Sequence, residues 1–211
     1  GAVETAQVDA LDERAVDEHA DAVAEKAGGI DVSFNAISHG DVQGVPLIDM
    51  SFEDFARPIE IAMRTQFLTT RAAARHMTRQ GSGVIMAITA TTARLAVPEV
   101  GGTGVTFDVI ESQCRQWACE LGRHGVRVVW VQTTGLPEAL ADIEVFPDYG
   151  TGSGNGMTRT ELIAWLRRQT QLNRLTSLAE VGNVAAFMAS DHAGAMTATA
   201  ANITCGQVPA R

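Results

Sequence analysis

The sequence contains very few residues of several chemically useful types. Its 211 residues include a single lysine, Lys26, and a single tyrosine, Tyr149. The three cysteines form no CxxC pair, and their odd number argues against a disulfide framework. No apolar run approaches the roughly 18 residues that a membrane-spanning helix needs. These absences predict a protein without a membrane span, and a reducing cytoplasm is the simplest location for it.

Positive charge is also scarce. The formal net charge is −9, and the chain has no run of basic residues. A nucleic acid or an anionic membrane is attracted by clustered lysine and arginine, so neither is expected as a partner. The five histidines show no spacing typical of metal ligands, and no metal site is predicted.

Short apolar runs alternate with helical segments along most of the chain. GVIMAIT and VRVVWVQTT are almost continuously apolar, as is typical of strands buried on both faces of a parallel sheet. IDVSFNA and ATAANITCG are further strand candidates, and the opening residues 1–9 alternate as a short strand would. Strands separated by helices of this length imply right-handed crossovers, and therefore an α/β fold.

Helix boundaries carry clear signals. Asp12 is placed to begin a helix that ends at Gly28, and Ser51 is placed to begin a long helix to about residue 80. Pro58 predicts a break near the start of that helix, which would divide it in two. A further helix is predicted from about Thr106 to Leu121. Beyond these helices, Ser177 and Glu180 have the spacing of a capping box.

The periodic pattern lapses after Gly135. The segment LPEALADIEVFPDYGTGSGNG is long and rich in turn-forming residues. Segments of this kind in compact domains are often functional, so we predict a mobile flap at about 136–160.

Four segments together resemble the short-chain dehydrogenase/reductase family. They are GGIDVSFNAIS, FLTTRAAARHM, ACELGRHGVRVVWVQTTG and NRLTSLAEVGNVAAFMASDHAGAMTATAANITCG. Their order and spacing are similar to the family's fourth strand, its interface helix, its Pro-Gly segment and its C-terminal block. The resemblance implies a Rossmann-like doubly wound parallel sheet with flanking helices, as one domain over residues 1–211. It also implies an NAD(P)-dependent oxidoreductase.

One part of the family pattern is missing. Members hold the cofactor's pyrophosphate with a Gly-rich loop after their first strand. This sequence contains no such loop and opens at what resembles the family's third strand. The stretch TGSGNG (151–156) follows no strand and does not replace the loop. The resemblance therefore implies a domain that is partial at its N-terminus, lacking the first strands.

The family's catalytic positions are also altered. By resemblance, the catalytic tyrosine position is Thr103, the lysine position is Phe107, the serine position is Ala90 and the asparagine position is Ala62. A phenol with a pKa of about 10 is a poor base at neutral pH without a neighbouring cation. The usual proton chemistry is therefore not available at these positions.

Several other residues are candidates for the chemistry. The hydroxyl groups of Thr89, Thr91 and Thr103 could orient a substrate oxygen, or these threonines could simply suit a strand end and a turn. Asp108 could be a general base, or it could cap the helix or face solvent. His39 could be an acid near neutral pH or a loop residue without a role.

The role of the only tyrosine is also left open by the sequence. Tyr149 could reach the site from the flap, or it could serve only to pack that segment.

The resemblance also assigns cofactor contacts. Asp9 and Ala10 match residues that flank the adenine, and Gly135 matches the turn beside the nicotinamide. Asn35, Ala36 and Ile37 match the segment whose backbone lines the cofactor. NAD and NADP are not distinguished, because the residue that reads the ribose would precede this sequence.

Two functions remain open at this stage. The first is an NAD(P)-dependent oxidoreductase with an atypical active site that acts on a small molecule of unknown identity. The second is a non-catalytic relative that serves as a dinucleotide-binding, sensing or partner subunit. By resemblance, the helices predicted at 51–80 and 106–121 pair subunits, so a homo-oligomer, either a dimer or a tetramer, is expected.

Overall fold

A computed structural model describes residues 3–141, 145–150 and 156–209. The described residues form five α-helices: α1 Glu13–Ala27, α2 Phe52–Gln80, α3 Thr103–Leu121, α4 Arg159–Arg168 and α5 Leu178–Ala189. Within the same ranges, four strands form the main sheet: β1 Val32–Asn35, β2 Gly83–Ala90, β3 Val126–Thr133 and β6 Thr199–Ile203. They are all parallel and lie in the order β1-β2-β3-β6. The two short strands β4 Val145–Phe146 and β5 Met157–Thr158 form an antiparallel ribbon.

Apolar side chains cover both faces of the sheet, because successive residues of a strand point to opposite sides. On one face, Ile85 and Val128 pack against α2 and α3 through residues such as Met77. On the other face, Met86 and Val131 pack against α5 through residues such as Met188. The Rossmann-like α/β arrangement with helices on both faces is therefore confirmed.

Side-chain caps begin the helices where the sequence predicts them. The Asp12 carboxylate accepts hydrogen bonds from two backbone N–H groups of α1, and Ser51 accepts one from Asp54. Ser177 and Glu180 form the predicted capping box of α5. Because each cap satisfies donors that the first turn leaves free, these boundaries are set locally.

Two predictions about the first half of the chain are wrong. Residues 3–9 form no strand. A strand needs a neighbour, and among the described residues β1 is hydrogen-bonded to a strand on one side only, with Phe34 41% exposed. The helix α2 does not break at Pro58 but runs through 29 residues. Pro58 lies in the second turn of α2. Its ring removes one backbone N–H donor without interrupting the helix, and its side chain is buried.

The predicted start of α3 is also corrected, from Thr106 to Thr103. The flap at about 136–160 stays a prediction. Its described parts contain the β4–β5 ribbon and the first residues of α4, whereas 142–144 and 151–155 lie outside the described residues.

Within the described ranges, no helix is long and apolar enough to cross a membrane. Those ranges also hold no cluster of three or more histidine, cysteine, aspartate or glutamate side chains that would suit a metal.

The turn before β3 offers a test of the packing between elements. Gly125 has φ +75°, and a Cβ added there would lie 2.1 Å from the carbonyl oxygen of Gly81. The change Gly125→Ala is therefore expected to lower the free energy of unfolding by about 1–3 kcal/mol. Gly122 has φ −56° and open space around it, so Gly122→Ala should be neutral or stabilising. Chemical denaturation of both variants measures the difference, and equal effects would contradict this packing.

Candidate active site

The carboxyl ends of the parallel strands open onto a cavity of about 680 Å³. It lies between the loop after β1, the loop after β2 and the segment that leads from β3 to α4. Crevices at this end of a parallel sheet are where doubly wound proteins bind their ligands. We therefore take this cavity as the candidate active site and refer to it as the sheet-end cavity.

The structure brings together most of the positions that the resemblance assigns to catalysis. Ala90 is the last residue of β2, Thr103 is the first of α3, and Phe107 lies one turn later. All three line the sheet-end cavity, whereas Ala62 is buried within α2 and does not. Three of the four positions that the resemblance assigns to catalysis therefore line one cavity.

The predicted threonines separate into two groups. Thr91 and Thr103 line the sheet-end cavity, and the Thr103 hydroxyl donates to Oδ2 of Asp41 at 3.2 Å. Thr89 is buried outside the cavity lining, and its hydroxyl donates to Glu111 at 3.3 Å. Asp108 is exposed on α3 and does not line the cavity. The structure therefore does not bring Thr89 or Asp108 to the surface that a substrate would contact.

A buried carboxylate under the cavity escaped the sequence analysis. Glu111 of α3 is completely buried. One of its oxygens accepts from Thr89 and from Gln132 of β3, at 3.3 and 3.2 Å, and the other accepts from Arg94 at 2.5 Å. Arg115 lies farther away, at 3.8 Å. The sequence did contain a signal for this residue, because Glu111 is a charged residue within the apolar stripe of α3 that continues with Cys114.

These hydrogen bonds join four parts of the molecule: α3 through Glu111, β2 through Thr89, β3 through Gln132 and the loop after β2 through Arg94. Thr89 and Gln132 are paired in register on adjacent strands β2 and β3. Arg94 follows the short 3₁₀ turn Thr91–Ala93 in the cavity wall. Since a buried carboxylate must be neutralised and hydrogen-bonded, the cluster holds this loop and α3 against the sheet.

The loop after β1 places titratable groups beside the two altered positions. The ring of His39 meets the ring of Phe107 edge to face, with 5.9 Å between centroids. Burial lowers the pKa of His39 below its ordinary 6.5, although the nearby Asp41 carboxylate acts in the opposite direction. Oδ2 of Asp41 accepts hydrogen bonds from Thr103 and, at 2.5 Å, from Gln43. The lowered pKa favours the neutral imidazole of His39 at pH 7, and its ring contacts Phe107, the residue at the position that the resemblance assigns to the lysine.

Tyr149 lies in the sheet-end cavity but is not an activated phenol. Its hydroxyl donates to Oε1 of Gln43 at 2.7 Å, and its ring stacks on Trp165 with 6.1 Å between centroids. Burial, reinforced by the Asp41 carboxylate, raises the pKa of Tyr149 to about 12. This tyrosine therefore connects the predicted flap to the β1 loop and does not replace the missing acid.

The glycines in the loop before α3 permit close packing. A Cβ at Gly102 would lie 2.2 Å from the carbonyl oxygen of Phe55. At Gly101, where φ is +56°, a Cβ would lie 2.6 Å from the carbonyl oxygen of Val42. The loop is thus held firmly against α2 and the β1 loop, as a preorganised site requires.

The predicted cofactor contacts fall into two neighbouring clefts. Asp9, Ala10 and Ile37 line a cleft of about 690 Å³ beside the open edge of β1. Asn35 shapes this region, since its Oδ1 accepts from the backbone N–H of Ile37 and its Nδ2 donates to Thr69. Ala36 is exposed.

Gly135 belongs to the other cleft, the sheet-end cavity. Residues 37–41 separate the two clefts, so one extended molecule could contact both.

Comparison with known proteins shows which family the chain belongs to. A family profile described as enoyl-(acyl carrier protein) reductase matches residues 1–207. The chain belongs to the short-chain dehydrogenase/reductase family. It is 28% identical to an enoyl-[acyl-carrier-protein] reductase [NADH] of Rhizobium meliloti over 208 residues, which cover 98% of this chain and 71% of that relative. It is 26% identical over 190 residues to gluconate 5-dehydrogenase of Gluconobacter oxydans, with coverage of 88% and 67%.

Solved structures support the same short-chain dehydrogenase/reductase fold. Carveol dehydrogenase from Mycobacterium avium, in complex with NAD, superposes with a TM-score of 0.86 at 22% identity, covering 96% of this chain and 74% of that one. Sorbitol-6-phosphate 2-dehydrogenase from Erwinia amylovora gives a TM-score of 0.82 at 26% identity, with coverage of 96% and 78%. The family binds NAD or NADP, and its members are NAD(P)-dependent oxidoreductases.

The Glu111 cluster yields a test that compares two arginines. Arg94→Met removes the cation that contacts the buried carboxylate, so the free energy of unfolding should fall by about 2 kcal/mol. Arg115 is half exposed and more distant, so Arg115→Met should cost less than about 1 kcal/mol. Urea denaturation measures both. Equal losses would mean that Glu111 does not depend on Arg94.

Proposed function

We propose that this short-chain dehydrogenase/reductase is an oxidoreductase with an atypical active site, in which His39 replaces the tyrosine–lysine pair as the proton acceptor. The favoured direction is oxidation of an alcohol to a carbonyl. The observation that supports this is the placement of a neutral histidine against Phe107, at the position of the usual lysine. A neutral imidazole is a competent base at pH 7, whereas Tyr149 with a pKa of about 12 is not.

The residues present suit the two ends of a dinucleotide. Asp9, Ala10 and Ile37 would hold the adenosine end in the cleft beside β1, with Asn35 fixing the turn and Ala36 contributing backbone. Gly135 would lie beside the nicotinamide in the sheet-end cavity. The chemistry that a bound oxidised dinucleotide would supply there is acceptance of a hydride from the carbinol carbon.

The chain's own residues would handle the substrate's oxygen and its proton. Thr91 follows Ala90 directly and lines the cavity beside Thr92, whose buried hydroxyl oxygen has no hydrogen-bond partner among the described residues. Both threonines are therefore placed to orient the substrate oxygen. His39 would accept the hydroxyl proton on a ring nitrogen as the carbonyl forms. Thr103 and Gln43 hold Asp41 near His39, where the carboxylate favours the imidazolium that results.

Replacement of His39 tests the proposed base. His39→Asn is expected to lower kcat/KM for alcohol oxidation by about 10²- to 10⁴-fold. Because burial lowers the pKa of His39, the unmodified protein should gain activity with rising pH below 6.5 and level off above it. His39→Asn should lose this dependence. Steady-state kinetics from pH 5 to 8 provide the measurement.

His124 serves as the matched control. It is exposed and lies just before β3, at the opposite end of the sheet from the cavity. His124→Asn should therefore keep both the rate and the pH profile. An unchanged profile in His39→Asn would rule out His39 as the base.

The altered residues at the tyrosine and lysine positions also favour a second candidate function. Neither Thr103 nor Phe107 can supply acid or base, and the only described tyrosine has its pKa raised. A non-catalytic subunit that binds a dinucleotide and senses it, or pairs with another chain, would have these properties. Fluorescence titration with NADH and NADPH, followed by a screen of alcohols and ketones, separates the candidates. Binding without turnover of any compound would favour the second.

We also propose that the protein forms a homo-oligomer through α2 and α3. These helices pack side by side, and Phe67 of α2 contacts Trp117 of α3 with 5.6 Å between ring centroids. Phe67 and Met63 remain 44% and 49% exposed on this surface. An apolar patch across two packed helices is typical of a surface that another subunit covers.

Substitution of this patch tests the assembly. Phe67→Ser should shift the protein toward a smaller species in sedimentation velocity, because it removes apolar area from the contact. Phe52 is 73% exposed at the beginning of the same helix, and Phe52→Ser should leave the assembly unchanged. A protein that sediments as a monomer before any substitution would contradict the proposal.

A further inference from the structure

The sheet-end cavity has an unusual charge distribution. Among the described residues that line it there is no lysine or arginine, and the single carboxylate is Asp41. The segments 142–144 and 151–155, which lie outside the described residues, contain no lysine or arginine in sequence. The only lysine of the chain, Lys26, lies on α1 and is paired with Glu4 at 2.5 Å. The described cavity wall thus offers no cation to an anionic substrate.

Much of the cavity wall is hydrocarbon and aromatic. Its members come from α4, the predicted flap and the loop after β2, and they include Val97, Val100, Leu140, Phe146, Leu162 and Trp165. Phe146 and Leu162 also belong to a buried cluster with Met157, so this wall is fixed by packing. A carboxylate or phosphate placed against it would lose its hydration without gaining a partner, which is costly.

The polar groups of the cavity are nearly all uncharged and already engaged. The Thr106 hydroxyl donates to the carbonyl of Gly102, and that of Thr134 donates to Gln207. The Tyr149 hydroxyl donates a hydrogen bond to Gln43, and the lowered pKa of His39 favours its neutral form at pH 7. This leaves Thr91, Thr92 and His39 to receive one substrate oxygen, and no described lysine or arginine in the lining to receive a negative charge.

We propose that the sheet-end cavity takes an uncharged, largely hydrocarbon alcohol or ketone and rejects anionic substrates such as sugar acids and sugar phosphates. The proposal rests on the proposed function for the reaction, but the selectivity follows from the cavity wall alone. It therefore applies to binding whether or not turnover occurs.

The binding of three matched probes tests this selectivity for uncharged molecules. The probes share a 4-substituted cyclohexanol and differ at the end of the substituent: 4-ethylcyclohexanol, (4-hydroxycyclohexyl)acetate and 2-(4-hydroxycyclohexyl)ethylammonium. Affinities are measured by ligand-observed NMR and calorimetry at pH 7.5, with and without NAD⁺. The neutral probe should bind at least tenfold more tightly than the carboxylate and more tightly than the ammonium. Tightest binding of either charged probe, or no binding of the neutral one, would overturn the proposal.

A charge introduced into the wall sharpens the test. Leu140 lies in the wall and is partly exposed, so an arginine there can reach solvent without unfolding the domain. Leu140→Arg should raise the affinity for the carboxylate probe at least tenfold and reverse the order of the neutral and carboxylate probes. Leu140→Met, the neutral control of similar size, should keep the original order. If Leu140→Arg leaves the order unchanged, the missing cation is not the cause of the selectivity and the proposal fails.

The failure of this proposal is distinguishable from failure of the proposed function. If 4-ethylcyclohexanol binds tightly but is not oxidised with NAD⁺ or NADP⁺, the substrate class stands and the catalytic role of His39 falls. If only the carboxylate probe is bound and oxidised, the catalytic proposal stands and the substrate class is wrong.

Discussion

The buried carboxylate of Glu111 is the constraint on which the site depends. An ionised group away from water must be compensated from several directions, and Glu111 draws Thr89, Gln132 and Arg94 toward a single point. These partners come from two adjacent strands and from the loop that forms the cavity wall. The charge therefore couples the sheet, α3 and the substrate-facing loop more specifically than apolar packing could, because hydrogen bonds have direction as well as strength.

The sheet-end cavity keeps the fold of the family, and the positions that the resemblance assigns to catalysis carry other side chains. The tyrosine and lysine positions, Thr103 and Phe107, still face the cavity from α3. Phe107 packs against His39 where a lysine would have placed a charge, and Thr103 binds Asp41 where a tyrosine would have met the substrate. His39 and Asp41, the titratable groups beside these two positions, lie in the loop after β1 and not on α3. An apolar residue at the lysine position also makes burial of an uncharged histidine less costly.

Some features could be predicted from local sequence and others could not. The caps at Asp12, Ser51 and Ser177 act within one turn, so a few residues suffice to specify them. The break predicted at Pro58 failed because the cost of one lost hydrogen bond is offset by packing that a local pattern does not contain. The strand predicted at residues 1–9 failed for a related reason, since a strand exists only beside a neighbour.

The sequence by itself determined the α/β alternation, the buried parallel strands and the family, whereas the assignment of the four altered catalytic positions stays a prediction. Periodicity and short motifs encode these features within a few residues. Only the tertiary structure decided which candidates meet in the cavity. It left Thr89 and Asp108 outside the cavity, brought His39 to Phe107 and showed that Glu111 is buried. Residues far apart in the chain become neighbours because the carboxyl ends of parallel strands converge at one edge, and a linear pattern carries no record of that proximity.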